Sequence, residues 1–116
     1  MYQQDFTIIK GETFYKEISI TVNGEIYPLD GFLAVSQIRP YAGSPTLIEN
    51  FDCEIDNDKG IIKIKMDNNK TNNLPKGTQY YDSLLINEGT QEHSYFIGGK
   101  IFVKNHVTEL SNDNNS

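Results

Sequence analysis

The densest group of potential metal ligands in this sequence is an acidic series at every second position: Asp52, Glu54, Asp56 and Asp58. Ca²⁺ binds several carboxylate oxygens at once, so a calcium site is one interpretation of this series. Apolar residues such as Phe51 and Ile55 occupy the intervening positions, and such alternation is typical of a strand with one solvated face. The series also lacks the loop glycine and terminal glutamate of an EF-hand. We therefore interpret it as a polar strand face and expect no metal site.

The remaining candidates for chemistry are two histidines and one cysteine. His93 and His106 lie 13 residues apart, with no cysteine or further histidine at a metal-binding spacing. Cys53 lies between Asp52 and Glu54, although a reactive thiolate needs a basic neighbour to lower its pKa. The sequence also lacks a Gly-x-Ser-x-Gly elbow and a glycine-rich phosphate loop. We therefore expect neither an enzyme nor a cofactor, with the histidines at the surface and Cys53 as a small buried hydrophobe.

Aromatic residues are the more informative set, with seven Tyr, six Phe and no Trp. Tyr80 and Tyr81 are adjacent in a predicted strand, so one side chain faces the core and the other faces outward. A tyrosine in a loop, such as Tyr41, provides a large, stiff surface with a polar tip and so can anchor a protein contact. Ordinary core packing is the alternative for each of them. The predicted contact residues are Tyr2, Phe6, Tyr41, Tyr80 and His106.

The elements that carry these residues are strands, because apolar residues recur with a period of two. The predicted strands cover residues 14–22, 26–29, 32–39, 47–55, 61–66, 78–86 and 92–103. Asn23-Gly24 is a strong hairpin signal, and Gly98-Gly99 predicts a bulge or a close backbone approach inside the last strand. Residues 71–75 are expected to hold one helical turn at most. About seven short strands separated by turn signals predict a single all-β domain, either a sandwich or a small barrel, over residues 1–110. The polar residues 111–116 predict a flexible tail.

Composition and charge narrow the possible partners. The chain has 116 residues, with 10 basic and 16 acidic side chains, so its formal net charge is -6. Arg39 is the only arginine, which argues against a nucleic-acid partner because phosphates are neutralised by clustered Lys and Arg. No apolar run approaches the roughly 20 residues that cross a bilayer, and the N-terminus does not resemble a signal peptide. We expect no nucleic-acid or membrane partner, and the single cysteine favours a reducing compartment.

A series of short motifs runs through residues 5–108 in a fixed order. The motifs are Gly11-Glu12-Thr13-Phe14 after the strand that starts at Asp5, Pro28-Leu29-Asp30-Gly31-Phe32, Gln37-Ile38-Arg39, Leu74-Pro75-Lys76-Gly77, Tyr81-Asp82-Ser83-Leu84-Leu85, Gly99-Lys100-Ile101-Phe102-Val103 and Val107-Thr108. Together they resemble a family of short β-sandwich proteins of tailed bacteriophages, which are similar to immunoglobulin-like modules encoded among virion structural genes. The resemblance implies a single immunoglobulin-like β-sandwich of about seven to eight antiparallel strands, with no catalytic residues.

The resemblance also implies a function. It is that of a non-enzymatic virion structural protein, an accessory or adaptor subunit of the tail, neck or fibre-attachment region, assembled in the bacterial host cytoplasm. Its expected partners are other virion proteins, contacted as a homo-oligomer or symmetric array. An alternative is a capsid decoration (cement) protein that staples major capsid subunits. A host-glycan-binding module is an alternative from another class, and it requires an exposed aromatic platform.

Overall fold

The computed structural model describes residues 2–107, which form ten strands and one short helix. In chain order these are β1 (Tyr2–Gln3), β2 (Phe6–Ile9), β3 (Phe14–Ser19), β4 (Thr21–Val22), β5 (Glu25–Ile26), β6 (Phe32–Arg39), β7 (Glu49–Asp56), β8 (Ile61–Met66), α1 (Asn68–Asn72), β9 (Gly77–Asn87) and β10 (His93–Lys104). Strands account for 58% and helix for 5%, which confirms the all-β prediction. The predicted tail and the predicted domain end at residue 110 lie outside the described residues. No helix within residues 2–107 has the length and apolarity to cross a membrane.

Turn chemistry positions the hairpins where the sequence predicts them. Asn23 and Gly24 both have positive φ, 55° and 79°, as a two-residue turn between β4 and β5 requires. A turn that ends at Gly60, with φ 64°, joins β7 to β8. Residues 88–92 join β9 to β10, and the Asn87 N–H donates to the Glu92 carbonyl at 2.9 Å. Each of these connections is antiparallel, so the local signals are confirmed.

Eight strands form one mixed sheet, in which β10, β9, β6, β7, β8 and β3 follow one another and both β1 and β2 pair with β10. β2 runs parallel to β10, with Phe6 opposite Ile101 and Ile9 opposite Lys104. β1 is also parallel to β10. The prediction of antiparallel strands throughout was therefore wrong for the N-terminal segment. The reason is that nearly the whole chain connects β2 to β10, so no hairpin constrains their relative direction.

The sheet curls, so that its inner face encloses the core. Phe6 on β2 packs against Phe14 on β3 with 5.4 Å between ring centroids, although the two strands lie at opposite ends of the sheet order. Ile62, Ile64 and Met66, which are fully buried on the inner face of β8, continue the core. The outer face of the sheet carries the exposed polar and aromatic side chains.

The glycine pair in β10 marks a close backbone approach, as predicted. A Cβ atom added at Gly99 would collide with the carbonyl oxygen of Gln4. The backbone between β1 and β2 can therefore pack against this position only because it is a glycine. The strand irregularity itself lies earlier, between Tyr95 and Ile97. This bulge leaves Phe96 as the extra residue and sets the direction of the neighbouring side chains.

Candidate functional site

The five predicted contact residues do not form one site. Tyr2 and Tyr41 are 66% and 58% exposed, on β1 and in the loop after β6. Tyr80 is half-buried on the outer face of β9, and His106 is half-buried beyond β10. Phe6, by contrast, is 3% exposed and belongs to the core. The alternation of β2, in which Phe6 and every second residue face inward, explains this placement and removes Phe6 from the exposed surface.

The acidic series occupies a polar strand face, as predicted. Asp52 and Glu54 are exposed on the outer face of β7. The Lys70 ammonium lies 3.7 Å from a carboxylate oxygen of Asp52, and the Lys65 ammonium lies 3.8 Å from Glu54. Within residues 2–107 no three side chains of His, Cys, Asp or Glu converge as metal ligands do. Asp52 and Glu54 are therefore each paired with a neighbouring lysine.

Cys53 faces the inner side of the same strand and packs on the edge of the core. Burial, with a smaller contribution from the negative charge of Asp52, raises the pKa of the Cys53 thiol to about 11. The nucleophilic thiolate is therefore a minor species at neutral pH. This environment matches the interpretation of Cys53 as a small hydrophobe.

Tyr41 and Tyr80 do come together, in a cleft on the outer face of the sheet. The cleft has a volume of about 310 Å³ and lies between β6, β9, β10 and the loop that follows β6. Its side chains come from residues that are far apart in the chain: Gln37, Arg39, Tyr41, Tyr80, Asp82 and Tyr95. We call this the tyrosine cleft. In the strand register Asp82 lies opposite Gln37 on β6 and opposite Gly98 on β10, so β10 places no side chain beside the carboxylate.

Hydrogen bonds fix the polar floor of the tyrosine cleft. The Arg39 guanidinium donates to the Ser44 carbonyl at 3.1 Å and to the Gln37 side-chain oxygen at 2.9 Å. The Gln37 amide in turn donates to the Asn50 side-chain oxygen at 3.1 Å. The loop is closed by a hydrogen bond from the Ser44 N–H to the Tyr41 carbonyl at 3.1 Å. These bonds hold the Arg39 guanidinium and the backbone of the loop in place.

The charge in the tyrosine cleft is balanced. Partial burial raises the pKa of the Asp82 carboxyl above its usual range, and the nearby Arg39 guanidinium acts in the opposite direction. Arg39 and Asp82, both within the described part of the chain, form no ion pair within 4 Å. The carboxylate therefore keeps free acceptor positions that face the cleft.

A second concave region, which we call the edge groove, lies where the curled sheet stays open. It has a volume of about 530 Å³ and is lined by Tyr2, Gln4, residues 17–21, Phe96 and Ile97. β1 forms one bank and β3 the other. Among the described strands each of these two pairs on one side only, β1 with β10 and β3 with β8. Two strand edges therefore face each other across the groove.

Sequence reasoning missed several residues of both regions. Tyr95 and Asp82 join the tyrosine cleft because β9 pairs with both β6 and β10, and no local pattern encodes that pairing. Ile18 and Phe96 line the edge groove together because the sheet curls, which no local pattern encodes either. The single arginine, Arg39, served as evidence against a nucleic-acid partner and as part of a motif, and no contact was predicted for this side chain. Its position at the end of a predicted strand, next to a loop tyrosine, was the available signal.

No protein-family model matches the chain, and no curated protein matches it either. The arrangement provides a polar, tyrosine-lined cleft and an open strand edge with apolar lining. Both are features that bind other molecules.

Proposed function

We propose that this protein is a non-enzymatic structural subunit of a tailed-bacteriophage virion, an accessory or adaptor of the tail, neck or fibre-attachment region. The ordered motifs of residues 5–108 support the phage assignment through the family they resemble. We also infer an immunoglobulin-like sandwich. The packing of Phe6 on Phe14 supports this fold, because it brings opposite ends of the sheet order against each other.

The edge groove is the observation on which the proposal depends. A strand that pairs on one side only presents a row of unpaired N–H and C=O groups along its other side. β3 is six residues long and offers such an edge, and β1 offers a shorter one on the opposite bank. An extended segment of a neighbouring protein can pair with these groups by strand addition.

The lining of the edge groove defines the chemistry of that segment. Ile18 on β3 and Phe96 on β10 are half-buried in the lining, and the adjacent Ile97 is buried. Because side chains of a strand point alternately to its two faces, the incoming segment needs an apolar residue at every second position. The occupant that we propose is therefore an extended, alternately apolar segment of another virion protein. Repetition in a symmetric particle multiplies a modest contact of this kind.

A pair of lysine substitutions tests this use of the edges. Tyr2→Lys together with Ser19→Lys places one charge on each bank at exposed positions, and lysine on an edge strand opposes strand addition. The matched control is Leu33→Lys together with Leu47→Lys, which adds the same charge at apolar side chains that are 49% and 41% exposed elsewhere. Each variant is expressed in the phage that encodes the chain, and its amount per particle is measured by quantitative mass spectrometry.

We expect the groove variant to fold normally by circular dichroism and to be absent from purified particles, with the control present at the wild-type level. Incorporation of the groove variant at the wild-type level would contradict the proposal. Cross-linking of the incorporated wild-type protein then identifies its neighbour. A tail, neck or fibre protein agrees with the proposal, and the major capsid protein would move the assignment to capsid decoration.

A further inference from the structure

We propose that the tyrosine cleft binds a neutral saccharide of one or two sugar rings. This binding is separate from the proposed assembly function, since it uses the outer face of the sheet and not its edges. It also requires no second protein, so it can be tested on the isolated chain. Four properties of the cleft indicate the ligand: its tyrosine walls, its hydrogen-bonding floor, its volume and its balanced charge.

Three tyrosine side chains from separate segments form the walls. Tyr41 is 58% exposed and Tyr95 is 54% exposed, whereas Tyr80 is half-buried on the outer face of β9. Exposed aromatic rings leave their π faces free, and the C–H groups of a sugar ring carry the partial positive charge that such faces attract. Each phenol adds a hydroxyl that both donates and accepts hydrogen bonds. The walls therefore suit a ligand with apolar faces and a hydroxylated rim.

The floor supplies donors and acceptors in fixed positions. Arg39 is held by the Ser44 carbonyl and the Gln37 side chain, which leaves further guanidinium N–H groups available. The Asp82 carboxylate has free acceptor positions, and Gly98, which lies opposite it on β10, places no side chain beside it. A planar carboxylate and a planar guanidinium each bind two neighbouring hydroxyls at once, and sugars present such pairs.

Size and charge define the ligand class further. A volume of about 310 Å³ lies at the small end of the range for small-molecule sites, about 300–1,000 Å³. One or two sugar rings fill such a space. The charges of Arg39 and Asp82 offset each other inside the cleft, and the whole chain carries a formal charge of -6. An acidic ligand would therefore find no net positive charge in the cleft to attract it. A neutral saccharide is the class that all four properties favour.

The test measures sugar binding to the purified chain by titration in ¹⁵N–¹H correlation spectra. The probes are glucose, galactose, mannose, rhamnose, N-acetylglucosamine, N-acetylgalactosamine, lactose and cellobiose, with glucuronic acid as the acidic probe and a ten-residue polyproline peptide as the peptide probe. We expect saturable binding of at least one neutral sugar, with shifts confined to backbone amides of the residues that line the cleft: Gln37, Arg39, residues 41–44, residues 80–82 and Tyr95.

Two variants and one control locate the binding. Tyr95→Ala and Asp82→Asn each change an exposed side chain of the cleft, and we expect each to weaken sugar binding at least tenfold. Tyr15→Ala changes a tyrosine of similar exposure, 45%, on β3 and outside the cleft, and we expect no change. Failure of every neutral sugar to saturate would overturn the proposal. So would undiminished binding to both cleft variants, or binding in the cleft of glucuronic acid or polyproline alone.

Discussion

Four aromatic rings from four different strands form a closed circuit at the centre of the molecule. Ring centroids are 5.4 Å apart for Phe6 and Phe14, 5.5 Å for Phe14 and Phe51, 6.3 Å for Phe51 and Tyr81, and 5.0 Å for Tyr81 and Phe6. Aromatic pairs of this geometry contribute about 0.5–1.5 kcal/mol beyond the area they bury. The circuit links β2 and β3, the strands whose edges the curl brings together.

We expect Phe51→Ala to lower the free energy of unfolding by about 3–5 kcal/mol, because it removes a side chain that is 5% exposed and leaves a cavity beside two other rings. Glu54→Ala, on the outer face of the same strand, is the matched control. It loses only an exposed ion pair to Lys65 and is expected to cost less than about 0.5 kcal/mol. Urea unfolding monitored by circular dichroism measures both values. Equal or reversed costs would show that the inward and outward faces of β7 have been exchanged.

At the scale of single residues, alternation predicted much of what the structure shows. It placed Phe51 inward and Asp52 outward, and it separated Tyr81, which is 5% exposed, from Tyr80. Phe6 was predicted at a contact surface, and the structure places it in the core. The inward alternation of Phe6 and Ile8 about Thr7 was readable, but a four-residue strand gives a weak signal on its own.

At the scale of elements, the short helix α1 fastens the turn between β2 and β3. The Thr71 hydroxyl accepts a hydrogen bond from the Gly11 N–H at 3.1 Å and donates to the Glu12 carbonyl at 2.8 Å. Thr71 itself is fully buried. One hydroxyl thus satisfies two backbone groups of a turn that is about 60 residues away in the chain.

We expect Thr71→Val to lower the free energy of unfolding by about 1–3 kcal/mol, since valine keeps the shape but leaves the Gly11 N–H and the Glu12 carbonyl without their partner. Thr78→Val, at an exposed position of β9, is the matched control and is expected to change stability by no more than about 0.5 kcal/mol. Thermal and urea unfolding of the two variants provide the comparison. A neutral Thr71→Val variant would mean that the hydroxyl does not support the turn.

The helix and the N-terminal strands show where prediction from sequence stops. One helical turn was expected over residues 71–75, and the helix forms at Asn68–Asn72 instead. It begins earlier because the Asp67 side chain caps it by accepting from the Lys70 N–H at 2.9 Å. Hairpins were predictable because their turns are local. The parallel pairing of β2 with β10 was not, because it joins residues about 95 apart in the chain.

At the scale of the whole molecule, the curl of the sheet creates the edge groove, and the pairing of β9 with both β6 and β10 assembles the tyrosine cleft. The all-β class followed from periodicity, whereas the curl depends on which strands become edges and therefore on long-range pairing. The sequence does not indicate which residues belong together in either region. In the tyrosine cleft, for example, Arg39 on β6 and Tyr95 on β10 line the same space only because β9 pairs with both strands. Tyr41 and Tyr80 were both predicted as contact residues, but no pattern in the sequence indicated that they line the same cleft.

The central claim is that the open edges of β1 and β3 hold a segment of a neighbouring virion protein. A cryo-electron microscopy map of the particle of the phage that encodes this chain, at a resolution that separates strands, tests it most directly. We expect an additional strand of another subunit along the free edge of β3, with side chains that enter between Ile18 and Phe96. A particle in which both edges border solvent, or one that lacks this chain altogether, would contradict the claim.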